Sequence, residues 1–157
     1  MKKQYNISKS AALALLMKEC SRSEKSPFDI EKKLKSWGLE QHADDIIEKL
    51  RMEKFLDEKR FTKAFIHDKI WINKWGRIKI RFLLLQHKIP QSIVDEELQS
   101  FDLKSYKQLV WNELAKKKLS LKNMKPLQVK SKLFSFGYQR GYETDQIREF
   151  YETSETP

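Results

Sequence analysis

The feature that most constrains the fold is a pattern of apolar residues that recurs about every 50 residues. Each copy has apolar residues at helical spacing, a short turn closed by an apolar residue, and a second helical run. The copies lie at 29–50, 79–98 and 128–151, and a further apolar-periodic stretch precedes each, at 9–20, 58–73 and 104–118. Self-similarity at a fixed period predicts three tandem three-helix units.

We therefore predict an all-α fold of tandem three-helix repeats that form an elongated array. The first helices of the units should start near residues 9, 57 and 103. We expect domains at 1–56, 57–102 and 103–157, with the last two basic. Composition agrees, because the 157 residues include only 4 glycines and 4 prolines, the residues that most often interrupt helices.

The segment 77–87 carries two periodicities. Basic and apolar residues alternate over 77–82, which is typical of a half-buried strand. No other segment alternates convincingly, so a strand here would have no partner. We predict a helix with Ile80, Leu83 and Leu84 toward the core, and with Arg77 and Arg81, four residues apart, sharing another face.

Several residues mark helix starts. Ser26 can act as an N-cap with a proline and an acid in the turn that follows it. Asp57 and Asp102 are placed to cap the helices after them. Pro90 and Pro126 stand where a helix can begin. At the helix ends, we expect Gly38, Gly76 and Gly137 to adopt the left-handed conformation that closes a helix.

Signals of catalysis are nearly absent from the sequence. It has no phosphate-binding glycine loop and no H-E-x-x-H motif. The single cysteine, Cys20, and the histidines at 42, 67 and 87 are apart in sequence, and the acidic pairs near 44 and 95 suit solvent-facing helix positions. We predict a protein that is not an enzyme and that uses no metal or cofactor. The apolar run near the N-terminus is too short for a membrane span, and we interpret it as an amphipathic helix.

Charge is the positive functional signal. Lysine and arginine number 32 against 22 acidic residues, for a net charge of +10. No acid occurs between Asp68 and Asp95, or between Glu113 and Glu143. Basic side chains crowd both segments and aromatic residues such as Trp75 lie among them, a combination that favours a polyanionic partner such as nucleic acid.

The ordered motifs resemble those of the RecX family, the bacterial regulators of RecA. The resemblance covers residues 20–98 well and the last third only by architecture. It departs from the family pattern at Lys54, where a glycine often precedes the aromatic residue. The matching residues are Lys33-Leu34, Gly38, Phe55-Leu56-Asp57-Glu58, Arg60-Phe61, Lys74-Trp75-Gly76 and Lys79-Ile80.

The resemblance implies a regulator that binds the RecA filament on single-stranded DNA, lowers ATP hydrolysis and strand exchange, and contacts the DNA itself more weakly and in a salt-dependent way. We expect a cytoplasmic monomer that does not bind membranes. Combined with the charge pattern, the resemblance gives a set of candidate contacts: Lys69, Lys74, Trp75, Arg77, Lys79, Arg81, Lys88, Lys116, Lys117, Lys118, Lys122, Lys125, Lys130 and Lys132.

Two other functions compete with this one. Residues 32–50 have the outline of a helix-turn-helix, which would suit a transcription regulator. The second helix of that motif is acidic, however, and fits a DNA major groove poorly. A metal-dependent nuclease is the other alternative, and the sequence lacks the carboxylate or histidine cluster that it needs.

Overall fold

The computed structural model describes residues 6–155, and every regular element in this part of the chain is helical. The predicted all-α class is confirmed. A short 3-10 helix, Glu40–His42, lies between the second and third α-helices. In chain order, the α-helices are α1 Lys9–Arg22, α2 Pro27–Ser36, α3 Ala43–Met52, α4 Glu58–Trp71, α5 Arg77–Gln86, α6 Gln91–Ser100, α7 Leu103–Ser120, α8 Pro126–Arg140 and α9 Thr144–Glu155.

The helices follow the predicted grouping by three. The first helix of each group starts at Lys9, Glu58 or Leu103, close to the expected positions. The ambiguous segment forms α5, so the prediction of a helix is confirmed. Within α5, Ile80 and Leu84 are fully buried, whereas Leu83 is only half-buried.

The capping predictions are also confirmed. At the start of α2, the Ser26 hydroxyl accepts the Asp29 N–H at 3.2 Å and the Asp29 carboxylate accepts the Ser26 N–H at 2.9 Å. Asp57 accepts the N–H of the third residue after it at 3.0 Å, and Asp102 does the same at 3.1 Å. These bonds satisfy amide groups that have no partner inside the helix.

Only one of the three predicted left-handed glycines takes that conformation. Gly38 does, with φ +73°, but the residues with positive φ near the other two are Lys74 and Gly141. Gly76 serves a different purpose, because a Cβ there would overlap the backbone of Gly141. Gly137 lies inside α8, where a Cβ would overlap the side chain of Ile147. Close packing, not turn geometry, requires these two glycines.

Residues 6–155 divide into two compact units. One comprises the chain up to Ala64 together with Leu84–Val94, and the other comprises Phe65–Leu83 and the chain from Asp95 onward. In the first unit, α1, α2 and α3 enclose a core that includes Leu16, Ile30 and Leu50. The second unit has a core of its own, with buried Leu114, Leu133, Tyr142, Ile147 and Phe150 from α7, α8, α9 and the turn before α9. The predicted domain limits at residues 56 and 102 stay a prediction.

Candidate partner-binding surface

The turn between α4 and α5 holds Trp75 in a fixed position. Lys74 adopts φ +60° and reverses the chain. The Trp75 N–H then donates to the Lys69 carbonyl at 2.9 Å, and the buried Tyr142 hydroxyl donates to the Lys74 carbonyl at 2.6 Å. The turn is therefore tied both to the end of α4 and to the residues that precede α9.

Two lysines lie against the Trp75 ring. The Lys79 Nζ is 4.0 Å from the ring centroid and the Lys69 Nζ is 4.9 Å from it. Lys69 also lies 5.3 Å from the ring of Phe65. An ammonium group at such distances is attracted to the electron-rich face of the ring. We refer to Lys69, Trp75 and Lys79 as the Trp75 cluster.

The Trp75 cluster carries uncompensated positive charge. Among residues 6–155, no carboxylate lies within ion-pair distance of Lys69 or Lys79. The aromatic ring orders the two side chains without neutralising them. Trp75 and both lysines are half-buried, so each keeps some access to solvent. Two ordered cations at a partly accessible site can accept a phosphate group.

Arg77 belongs to a different arrangement. Its Nε lies 3.1 Å from a carboxylate oxygen of Glu143. The buried Tyr106 hydroxyl donates to Glu143 at 2.7 Å and accepts the Arg77 backbone N–H at 3.1 Å. Burial, reinforced by the Glu143 charge, raises the pKa of Tyr106 well above its usual value. Arg77 thus helps to hold α5, α7 and the start of α9 together.

Four other candidate contacts also have acidic partners within the chain. Arg81 pairs with Asp95 on α6, and Lys88 pairs with Glu31. On α7, Lys116 lies 3.3 Å from Glu113 and Lys118 lies 2.7 Å from Glu155. Acidic residues from outside the two acid-free segments thus lie close to them in the folded chain and neutralise part of the positive charge of these segments.

The remaining candidates are not in ion pairs within residues 6–155. Lys74 donates to the Trp71 carbonyl at 2.8 Å. Lys117 lies over the ring of Phe136 at 5.6 Å, and Lys130 lies over the ring of Tyr151 at 5.4 Å. Exposed lysines without a carboxylate partner follow the end of α7 and continue along α8, at Lys122, Lys125 and Lys132.

The first unit contains a cluster of a serine, a histidine and an aspartate that the spacing of these residues in the sequence did not predict. The His87 Nδ1 lies 2.9 Å from the Ser26 hydroxyl and 3.6 Å from the Asp29 carboxylate. A serine nucleophile needs its base to face the serine and the aspartate through different ring nitrogens, but here both approach Nδ1. Ser26 is also fully buried and caps α2, so the group is structural.

The other residues with potential for chemistry are dispersed. Burial raises the pKa of the Cys20 thiol, which disfavours the reactive thiolate. Across residues 6–155, histidine, cysteine and carboxylate side chains form no group of three that could hold a metal ion. None of the helices in the same range is both long and apolar enough to cross a membrane.

Repeated three-helix units define the class of the protein, an all-helical repeat protein. A sequence model described as RecX, second three-helix domain, matches residues 57–98. The regulatory protein RecX of Clostridium acetobutylicum is 31% identical over 150 residues, which cover 92% of this chain and 67% of that protein. The chain belongs to the RecX family of regulatory proteins.

Other relatives carry the same name. The regulatory protein RecX of Clostridium beijerinckii is 32% identical over 140 residues, 87% of this chain and 63% of that protein. The chain therefore spans about two thirds of the length of these clostridial relatives. The regulatory protein RecX of Chlorobium limicola is 25% identical over 143 residues, 90% of this chain and 88% of that protein.

Two crystal structures share the fold. The structure of RecX from Lactobacillus salivarius superposes with a TM-score of 0.78, at 16% identity, over 92% of this chain and 94% of that one. A second structure, of a regulatory protein RecX, gives a TM-score of 0.78 at 20% identity, over 91% and 74% of the two chains. At these identities the likeness concerns the fold alone.

Proposed function

We propose that this chain regulates RecA by binding the RecA filament assembled on single-stranded DNA, and that binding lowers ATP hydrolysis and strand exchange by the filament. Membership of the RecX family supports RecA as the partner. The excess of basic side chains supports a partner that exposes negative charge, as DNA phosphates and acidic protein surfaces both do. Regulation of recombination and DNA repair follows from this activity.

The observation that carries the DNA part of the proposal is the Trp75 cluster. Lys69 and Lys79 lie against an aromatic ring and form no ion pair with a carboxylate in residues 6–155. Arg77 and Arg81, in contrast, already face Glu143 and Asp95. A phosphate would have to compete with those carboxylates. We therefore assign the first contacts to the Trp75 cluster, with a secondary role for the exposed lysines of α8.

In this proposal the protein acts by binding and needs no catalytic group, metal or cofactor. The structural role of Ser26, His87 and Asp29 supports this. A cytoplasmic monomer suits the proposal, because the filament itself supplies a repeated surface and each bound chain can act alone.

The helix-turn-helix alternative gains no support from α3. Asp44 and Asp45 lie in its first turn, the part of a recognition helix that meets the bases of a major groove. Asp45 also pairs with Lys9 and Lys49. These carboxylates would repel the phosphates on either side of the groove, so we do not propose duplex recognition through this helix.

The direct test adds the purified chain to RecA, ATP and single-stranded DNA and follows ATP hydrolysis. We expect hydrolysis to fall as the chain concentration rises. Another ATPase that depends on single-stranded DNA serves as the control, because simple sequestration of DNA would slow both enzymes. Unchanged RecA hydrolysis at saturating chain concentration would contradict the proposal, and sequence-specific retention of duplex DNA would favour the transcription regulator instead.

A further inference from the structure

An apolar groove opens on the second unit, away from the Trp75 turn in sequence. It lies between the end of α7, the start of α8 and the end of α9, and its cavity volume is about 540 Å³. Leu121 and Phe150 are buried beneath it, and Ala115 and Val129 contribute to its lining. A concavity of this size is comparable to pockets that take several side chains or a small ligand.

Exposed apolar side chains also belong to this region. Leu119 and Met124, which line the groove, are 71% and 40% exposed, and Leu127, next to the lining residue Pro126 in sequence, is 80% exposed. Single exposed apolar side chains are normal on proteins, but a contiguous apolar area next to a concavity typically marks an interaction site. Leu119 lies at the end of α7, Met124 lies in the turn that follows and Leu127 lies at the start of α8, so the junction of the two helices carries all three side chains.

The rim of the groove is positive. Lys118 and Lys122 line it, and Lys125 stands one residue before Pro126, another lining residue. Glu155 is the acidic residue of the lining, and it is already paired with Lys118 at 2.7 Å. Lys122 and Lys125 have no carboxylate partner within residues 6–155. The groove thus offers an apolar floor and uncompensated cations at its edge.

We propose that this groove binds an amphipathic helix of a partner protein whose apolar stripe is flanked by acidic residues. Leucine-like side chains one turn apart would fill the cavity, as in other helix-in-groove complexes, and carboxylates beside them would meet Lys122 and Lys125. The inference does not rest on the regulation of RecA, because any partner segment with this chemistry would satisfy it.

The chemistry of the groove disfavours the other occupants. Aliphatic walls have no hydrogen-bond donors that could replace the water around a phosphate backbone. A second copy of this chain would bring two lysine-rich rims together and repel. A bilayer surface could attract the lysines, but it is too flat to fill a concavity whose floor is buried Leu121 and Phe150.

The test uses a fluorescent peptide of about 18 residues, long enough to form a helix, with leucines at i, i+4 and i+7 and glutamates on both sides of that stripe. Binding to the full chain is measured by fluorescence anisotropy. One matched peptide has lysine in place of each glutamate, and another has serine in place of each leucine. Anionic lipid vesicles form a separate arm.

We expect the acidic peptide to bind with a Kd of about 10 µM or tighter and both matched peptides to bind at least about tenfold more weakly. Leu119→Ser combined with Leu127→Ser should weaken binding about tenfold, as should Lys122→Gln combined with Lys125→Gln. Ile72→Ser is the matched control, since Ile72 is 70% exposed and lies outside the groove. Thermal melting checks that each variant is folded.

Three results would overturn the proposal. Absence of binding by the acidic peptide would remove the groove as a helix site. Equal binding of the acidic and basic peptides would show that charge does not select the occupant. The third result is that the chain binds vesicles but not the acidic peptide, and that the leucine double variant no longer binds the vesicles. That result would assign the surface to membranes instead.

Discussion

Gly76 lies so close to Gly141 that a side chain on Gly76 would overlap the Gly141 carbonyl group. The Gly76 N–H donates to the Arg140 carbonyl at 2.6 Å, and the Ile78 N–H donates to the Gly141 carbonyl at 3.1 Å. Backbone from the start of α5 thus hydrogen-bonds directly to backbone at the end of α8. Lys79 lies directly against Gly141 at this contact. The approach is possible because glycine has no Cβ, and a Cβ on Gly141 would overlap the Lys79 backbone and side chain.

Gly141→Ala should therefore lower the free energy of unfolding more than Gly38→Ala does. Both glycines have positive φ, +86° and +73°, and alanine in that region costs about 1–2 kcal/mol. At Gly38 a Cβ meets no atom within 4 Å, so the matched variant isolates the backbone cost. Urea unfolding measures both, and equal losses would show that the close contact at Gly141 contributes nothing to stability.

Arg77 should be important for stability even if it contributes to binding. Its side chain and that of Glu143 are 33% and 26% exposed, so Arg77→Gln leaves a partly buried carboxylate without its cation. We expect a loss of about 1–3 kcal/mol. In a double-mutant cycle, Arg77→Gln with Glu143→Gln should cost less than the sum of the single changes.

The Arg81–Asp95 pair provides the control, because its side chains are more exposed and exposed pairs contribute about 1 kcal/mol or less. Urea unfolding of the two sets of variants gives the comparison. If Arg77→Gln cost no more than Arg81→Gln, the role of Arg77 in holding the helices together would be wrong.

Stability should fall at alkaline pH because of two buried tyrosines. Burial raises the pKa of Tyr142 to about 12, whereas tyrosine in an unfolded chain ionises near pH 10. Between these values the unfolded chain loses a proton that the folded chain keeps, so stability declines as pH rises, by about 1.4 kcal/mol per pH unit for each such group. Tyr106 adds to the decline in the same direction.

Tyr142→Phe tests this directly. At neutral pH the variant should lose about 1 kcal/mol, because the Lys74 carbonyl loses its donor. Between pH 10 and pH 12, however, its stability should depend less steeply on pH than that of the parent. Tyr138→Phe, a change at a side chain that is 55% exposed, serves as the control. An unchanged slope in Tyr142→Phe would contradict the expectation.

Lys54 is a position where a glycine should increase stability. It follows α3 with φ +62°, a conformation that costs most residues about 1 kcal/mol or more relative to glycine. The RecX-like pattern often has glycine before the aromatic residue at this point, and Lys54 is where the sequence departs from it. Lys54→Gly should raise the free energy of unfolding by about 1 kcal/mol. Lys54→Ala keeps the strained backbone and should not raise the free energy of unfolding. A rise in both variants would show that loss of the lysine charge, and not relief of backbone strain, is the cause.

Local sequence signals predicted much of this fold, since capping residues and apolar periodicity depend on neighbours in the chain. Ser26, Asp57 and Asp102 cap helices as expected. The left-handed residues were harder to predict. Lysine takes that conformation at Lys54, Lys74 and Lys88, where the surrounding structure fixes the backbone. No propensity rule favours lysine there.

The candidate surface was predicted only in part, because charge counting along the chain ignores pairing in space. The segment that contains Arg77 and Arg81 has no acid, yet two acids from later in the chain pair with these arginines: Glu143, which precedes α9, and Asp95 on α6. The sequence singled out Trp75 as an aromatic residue among the basic side chains, and its role in binding stays a prediction. That two lysines lie against its ring depends on the path of the α4–α5 turn and could not be derived from spacing.

Replacement of Lys69 and Lys79 by glutamine should weaken binding to the RecA filament while leaving the fold intact. Neither side chain has an acidic partner to lose among residues 6–155, so the free energy of unfolding should change by about 0.5 kcal/mol or less for each change. If the lysines contact phosphates, each lost contact should reduce the slope of log affinity against log salt by about 0.7 for single-stranded DNA. The measurements are DNA affinity at several salt concentrations and inhibition of the RecA ATPase.

The matched control is Lys32→Gln combined with Lys35→Gln, which removes the same charge from exposed positions on α2. A loss of binding that is equal in both double variants would mean that net charge, not the Trp75 cluster, attracts the partner. Two further results separate the remaining cases. Unchanged binding to bare DNA with weaker ATPase inhibition would assign the cluster to acidic RecA surface. Full inhibition by the Lys69 and Lys79 variant would remove the cluster from the interface and leave the exposed lysines of α8 as the contacts to test.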